Sequence, residues 1–114
     1  MKLKDLIEKS CFVTIATIKD EYSINRLLFF LEYNLEFISN FSKVVVSVNF
    51  LEDTKKSTIE AYKEVWRTNV PNCEFLLSED NRGHMFGTID LEECALSYIK
   101  KNIPSVEYIF KSMD

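Results

Sequence analysis

The side chains able to do chemistry fall in four short stretches, each following an apolar run: Thr17 to Glu21, Asn49 to Asp53, Ser78 to Gly87, and the last residue, Asp114. The third stretch gathers Glu79, Asp80, Arg82 and His84 beside Gly83 and Gly87, the only two glycines of the chain. Carboxylates can hold a hard cation or move a proton. An arginine offers several donors to an anion, and a glycine lets backbone approach a ligand closely. Glu79, Asp80 and His84 are candidates for a base, and nothing around them singles one out. Zinc chemistry is not supported. Cys11, Cys73 and Cys94 lie far apart without a CxxC pair, and His84 is the one histidine. The three cysteines read as buried thiols, since a free cysteine behaves as a small apolar residue.

The elements that must position these stretches alternate between strand and helix. Phe12 to Ile18 is short and β-branched, which predicts a strand. Ile24, Leu27, Leu28, Leu31, Leu35 and Ile38 recur at helical steps and predict a helix over about residues 21–39. Val44 to Phe50 predicts a second strand, apolar on both faces as a strand covered on two sides must be. Ile59, Tyr62, Val65 and Trp66 mark a second helix, with Ser57 and Glu60 resembling a capping box and Asp53 or Thr54 as an earlier start. Cys73 to Ser78 predicts a third strand. Leu91, Cys94, Ala95, Tyr98 and Ile99 mark a third helix, capped at Asp90 or Thr88, and Val106 to Asp114 a fourth strand. Such alternation predicts a three-layer α/β/α domain with a mainly parallel sheet and right-handed crossovers, in spatial order 3-2-1-4. Ligands of such sheets bind beyond the carboxyl ends of the strands, near the switch in strand order, which is where the four stretches fall.

Composition narrows the function classes. A chain of 114 residues has room for one domain and one core. The net charge is −4 and the basic residues are scattered, which argues against a nucleic-acid groove. A small phosphate site remains possible, because one or two well-placed donors suffice. No apolar run is long enough to span a bilayer, and the charged N-terminal decapeptide lacks a signal-peptide core, so a cytoplasmic location is expected.

Within that frame, Ala16-Thr17-Ile18-Lys19-Asp20-Glu21 resembles the Pro-Thr-Tyr-Asn-Glu-Glu turn after the first strand of inverting, family-two-type glycosyltransferases of the GT-A fold. Val44 to Asn49 is similar to their second strand, which usually ends in paired aspartates. Asn81-Arg82-Gly83, with Gly87 after it, resembles their Asn-x-Gly-x-x-x-Ala segment. Tyr108 to Asp114 is similar to the fourth strand, whose end carries the metal-binding acids. The resemblance spans residues 12–114 in family order. It implies a GT-A or Rossmann-like fold, with residues 1–114 as the N-terminal part of a longer GT-A domain. It also implies a nucleotide-sugar donor, UDP-linked by analogy, and a glycan or lipid acceptor in polysaccharide or glycoconjugate synthesis.

The same resemblance places Thr17, Glu21, Asn49, Arg82 and Gly83 at the nucleotide-sugar, and Asp114 at an Mg²⁺ or Mn²⁺ ion bridging its phosphates. The departures are specific. Ala16 replaces proline, Ile18 stands where an aromatic stacks on the base, and Val48-Asn49 replaces the paired aspartates. Asn49 can still accept a hydrogen bond from a uracil N–H. A further acid just after Asp114 and a following α/β segment are expected in a longer parent, so that 1–114 alone is expected to lack the acceptor and base half.

Each of these residues also has a structural reading. Thr17 can be a strand-end residue, Asn49 and Asp53 turn or cap residues, Arg82 a solvated loop charge, His84 a polar loop residue, and Asp114 a frayed end. Glu92 and Glu93 read as helix-start charges. Phe29, Phe30, Tyr33 and Phe37 read as core or docking-surface residues. Two other function classes compete: a receiver-like signalling domain, disfavoured by Ser78 ending the third strand and Lys19 among the acids, and a non-catalytic interaction module.

Overall fold

A computed structural model describes residues 2–77 and 83–113. The elements run α1 (Leu3–Glu8), β1 (Ser10–Ile18), α2 (Glu21–Ile38), β2 (Val44–Phe50), α3 (Lys56–Asn69), β3 (Cys73–Leu77), α4 (Gly83–Asn102) and β4 (Tyr108–Met113). The strands form one parallel sheet in the order β3-β2-β1-β4, as the alternation predicts. This is a Rossmann-like α/β arrangement. It is not the 2-1-3-4-5 order of a receiver domain, because β3 flanks β2 rather than β1.

The two central strands are buried on both faces, and their side chains alternate between two cores. Phe12, Ala16, Ile18, Val44, Val46 and Val48 pack against Leu27, Leu31 and Ile38 of α2 and Tyr62 and Trp66 of α3. Cys11, Val13, Ile15 and Val45 pack on the other face against Leu91, Ala95 and Ile99 of α4. The four-residue steps on α3 and α4 explain why each helix buries a single stripe. Full burial of Trp66 makes it the largest side chain of the core, and truncation to alanine would cost on the order of 3–5 kcal/mol. Its indole Nε1 and the hydroxyl of Thr14 have no hydrogen-bond partner among the described residues.

Polar contacts lock the layers. Ser47 in β2 donates its hydroxyl to the Leu91 carbonyl of α4 at 2.8 Å, in a buried bond. Lys111 of β4 pairs with Glu92 of α4 at 3.0 Å. Asn72 donates to the carbonyls of Phe41 and Ser42 and so joins the turns that enter β3 and β2.

Several local expectations need correction. The N-terminal decapeptide holds a short helix, α1, whose Ile7 packs on the α2 side of the sheet. Helix α4 begins at Gly83, so Thr88 and Asp90 lie inside it rather than capping it. Glu92 and Glu93 are consequently mid-helix residues, and Glu92 serves the ion pair with Lys111. The Ser57–Glu60 capping box does not form. Lys55 occupies the cap position of α3 and makes no side-chain cap bond. Thr54 instead donates its hydroxyl to the Ile18 carbonyl at 3.1 Å, and Asp53 sits exposed in the preceding turn. Of the three thiols only Cys11 is buried; Cys73 is half-buried and Cys94 exposed. Leu28, Phe29 and Tyr33 stand on the outer face of α2, while Phe30 packs near Trp66.

Candidate functional site

The crossovers build a switch point between β1 and β4. The chain leaves β1 and β2 through α2 and α3 on one face, and leaves β3 through α4 on the other. At the carboxyl end of β1 the two crossovers diverge. That is the position where ligands of open α/β sheets bind.

Thr17 stands at this end of β1, and its register partner across the parallel pair is Asn49 of β2. Strand alternation puts both on the face covered by α4, one step beyond Ile15 and Ser47. Thr17 is half-buried and Asn49 is 1% exposed. Gly83 opens α4, the helix that lies over this face. The structure thus brings Thr17 and Asn49 side by side, under the helix that Gly83 begins. Met113, paired with Ile15, is the last described residue of β4. Arg82 and Asp114 lie outside the described residues, as do Glu79 and Asp80; the side chain of His84 is also outside them.

Glu21 is separated from this pair. It is the first residue of α2 and lies on the opposite face of the sheet, where it lines a cleft with Ile24 and Asn25 of α2 and Ser57, Thr58 and Ala61 of α3. The connection that delivers it is held by two hydrogen bonds. Asp20 accepts a hydrogen bond from the Tyr22 amide at 3.1 Å and caps α2, while Ser23 accepts from the Lys19 amide at 3.5 Å. Asp20 is the capping residue that sequence reasoning missed. Its signal was present, since an aspartate directly before a helical run is a strong cap, but it stood inside a stretch read for chemistry.

Among the described residues no group of three or more His, Cys, Asp or Glu side chains converges to hold a metal ion. The thiols offer no nucleophile in the core. Burial pushes the Cys11 thiol up to about 11, against smaller lowering effects from Lys43 and a backbone hydrogen bond at Val45. Burial also raises Cys73, partly offset by its own backbone and by Arg67. No helix among the described residues is long and apolar enough to cross a membrane.

Comparison with protein-family models, curated proteins and solved structures finds no match to this chain. What is established is the architecture: a four-stranded parallel sheet between helices, with Thr17 and Asn49 paired at the carboxyl ends of its two central strands.

Proposed function

We propose that this domain binds a nucleoside-diphosphate sugar at the carboxyl end of its sheet, as the donor-binding part of a glycosyltransferase. The observation that carries the reading is the pairing of Thr17 with Asn49 at the carboxyl ends of β1 and β2, beside the switch between β1 and β4 and under a helix that starts at Gly83. The observed strand order, which the alternation of strands and helices predicts, is compatible with this reading and disfavours the receiver-like alternative.

In this reading the Thr17 hydroxyl orients the nucleoside and the Asn49 amide pairs with the base edge. Arg82 and the amide of Gly83 meet the diphosphate. A uridine base suits an amide that both donates and accepts. Glu21 has no direct contact with the ligand here, because it faces the α2–α3 cleft. A divalent cation would neutralise charge developing on the leaving diphosphate. The Mg²⁺ or Mn²⁺ requirement rests on the resemblance at Asp114 alone, and no step is assigned to the ion.

Backbone amide spectra recorded during titration with UDP-glucose test this reading. The expected result is saturable shifts at Thr17, Asn49 and the start of α4, enhanced by Mn²⁺-free Mg²⁺ buffer over a chelated one. Shifts confined to other elements would count against it.

A further inference from the structure

We propose that the open edge of β4 pairs, antiparallel and about a two-fold axis, with the same strand of a second copy of this chain, joining their sheets into one. The inference does not rest on the nucleotide-sugar reading, whose Thr17–Asn49 pair lies at the carboxyl ends of the two central strands.

Strand β4 ends the sheet. The order is β3-β2-β1-β4, and among the described residues β4 pairs only with β1. One side of its backbone therefore presents N–H and C=O groups as a template for another strand. Its side chains alternate between the two faces. Phe110 packs on the α2 side against Phe37 and Phe41, and Tyr108 shares that side. Lys111 reaches Glu92 of α4 on the other side, where Glu107 and Ile109 line a groove with Leu96 and Ile99 of α4.

Both faces stay apolar up to this edge. Tyr108 is 41% exposed and Ile109 38%, with Phe37 and Leu96 exposed beside them. On the α2 side the rings of Phe12, Phe37, Phe41 and Phe110 form one cluster, with the Phe41 and Phe110 centroids 5.3 Å apart, and this cluster reaches the edge at Phe110.

The strand that matches this edge is β4 itself. An axis through Ile109, perpendicular to the sheet, sets Ile109 against the partner's Ile109 and Tyr108 against the partner's Phe110. It also sets Glu107 against the partner's Lys111, and symmetry repeats the last two pairs. Aromatic and opposite-charge pairs directly across two strands are what stabilise such a ladder. The partner's Tyr108 would extend the ring cluster past Phe110. The existing ion pairs leave room for the new ones. Glu107 meets Lys9 through Oε2 at 3.7 Å, Lys111 meets Glu92 at 3.0 Å, and all four side chains are exposed. A carboxylate has a second oxygen to offer and an ammonium three donors. A lysine on an edge strand ordinarily discourages pairing; in this register it faces a carboxylate instead. An axis through Phe110 would set Lys111 against the partner's Ile109 and lose both charge pairs. The other edge, β3, has no such match, because Glu74 is the only charged residue of Cys73–Leu77. A two-fold contact between like edges closes as a dimer, and it leaves the carboxyl ends of β1 and β2 uncovered.

Sedimentation equilibrium of the purified chain tests the proposal. A reversible dimer of twice the 13.4 kDa chain mass is expected. Glu107→Lys and Lys111→Glu each put like charges opposite one another at two symmetric places, and each is expected to weaken the dimer about tenfold. An equimolar mixture of the two variants restores opposite charges at both places and is expected to associate as tightly as the wild-type chain. That rescue separates pairing through β4 from damage to the fold and from association through another surface. A wild-type chain that stays monomeric up to about 0.5 mM, or a mixture that associates no better than either variant alone, would overturn the proposal.

Discussion

At the scale of single residues, Thr17 and Asn49 differ in what they can reveal. Asn49 is 1% exposed beneath α4, so removing its amide would disturb packing as well as any ligand contact. Thr17 is half-buried at the open end of β1. Thr17→Val keeps the β-branched shape that the strand favours and deletes only the hydroxyl. It is expected to lower UDP-sugar affinity by roughly 1 kcal/mol, the worth of one hydrogen bond, while leaving the melting temperature within a degree or two. Calorimetry paired with thermal unfolding would check both numbers. Equal affinity in the variant and the wild-type chain would take Thr17 out of the site.

The candidate site was legible in the sequence to the extent that topology dictates it. Parallel strands with helical crossovers place strand ends together, and that was enough to pair residues 17 and 49. Glu21 stands apart from this pair for a physical reason. Sequence proximity to Thr17 says nothing about which face of the sheet the next helix covers, and the turn at Lys19 and Asp20 carries Glu21 over to the α2–α3 side.

At the scale of elements, the sheet was the most readable part. Val44 to Phe50 was bounded correctly because continuous β-branched residues with both faces apolar allow little else. Helix starts were less readable. Capping signals compete at short range, and the structure chose Asp20 for α2 while leaving α3 without a side-chain cap. Thr54 could have served α3, but its hydroxyl is committed to the Ile18 carbonyl. The early start of α4 was hidden by Gly83 and Gly87, whose low helix propensity argues for a loop. Propensity is a weak prior, and burial of Leu91, Ala95 and Ile99 holds the helix on the sheet.

These assignments predict a contrast between two aspartates. Asp20→Ala should destabilise the fold by about 1 kcal/mol through loss of the α2 cap. Asp53→Ala should change stability by less than about 0.5 kcal/mol, since it is exposed and caps nothing. Urea unfolding of the two variants would decide the matter, and the reverse ranking would refute the capping assignment.

At the scale of the whole molecule, the buried Cys11 ties global stability to pH. Its folded pKa is raised from 9.0 to about 11, so the unfolded chain ionises first as pH rises. The stabilisation is fully present below pH 9 and is lost as pH passes through 11. The loss amounts to about 2–3 kcal/mol. Cys11→Ala is expected to start less stable at pH 7, because a buried sulfur is deleted. It should also show a shallower decline between pH 9 and 11 than the wild-type chain. Denaturant unfolding at pH 7, 9 and 11 measures this, and parallel declines would show that Cys11 is not the titrating group.

The nucleotide-sugar reading depends on the molecule as a whole, since it needs the sheet, the switch point and the start of α4 together. Its most direct measurement is isothermal titration of the purified chain with UDP-glucose, in Mg²⁺ or Mn²⁺ and again with chelator. Saturable heat, tighter binding with the metal present, and competition by UDP are expected. No heat with UDP-glucose or with any other nucleotide-sugar, with or without metal, would contradict it.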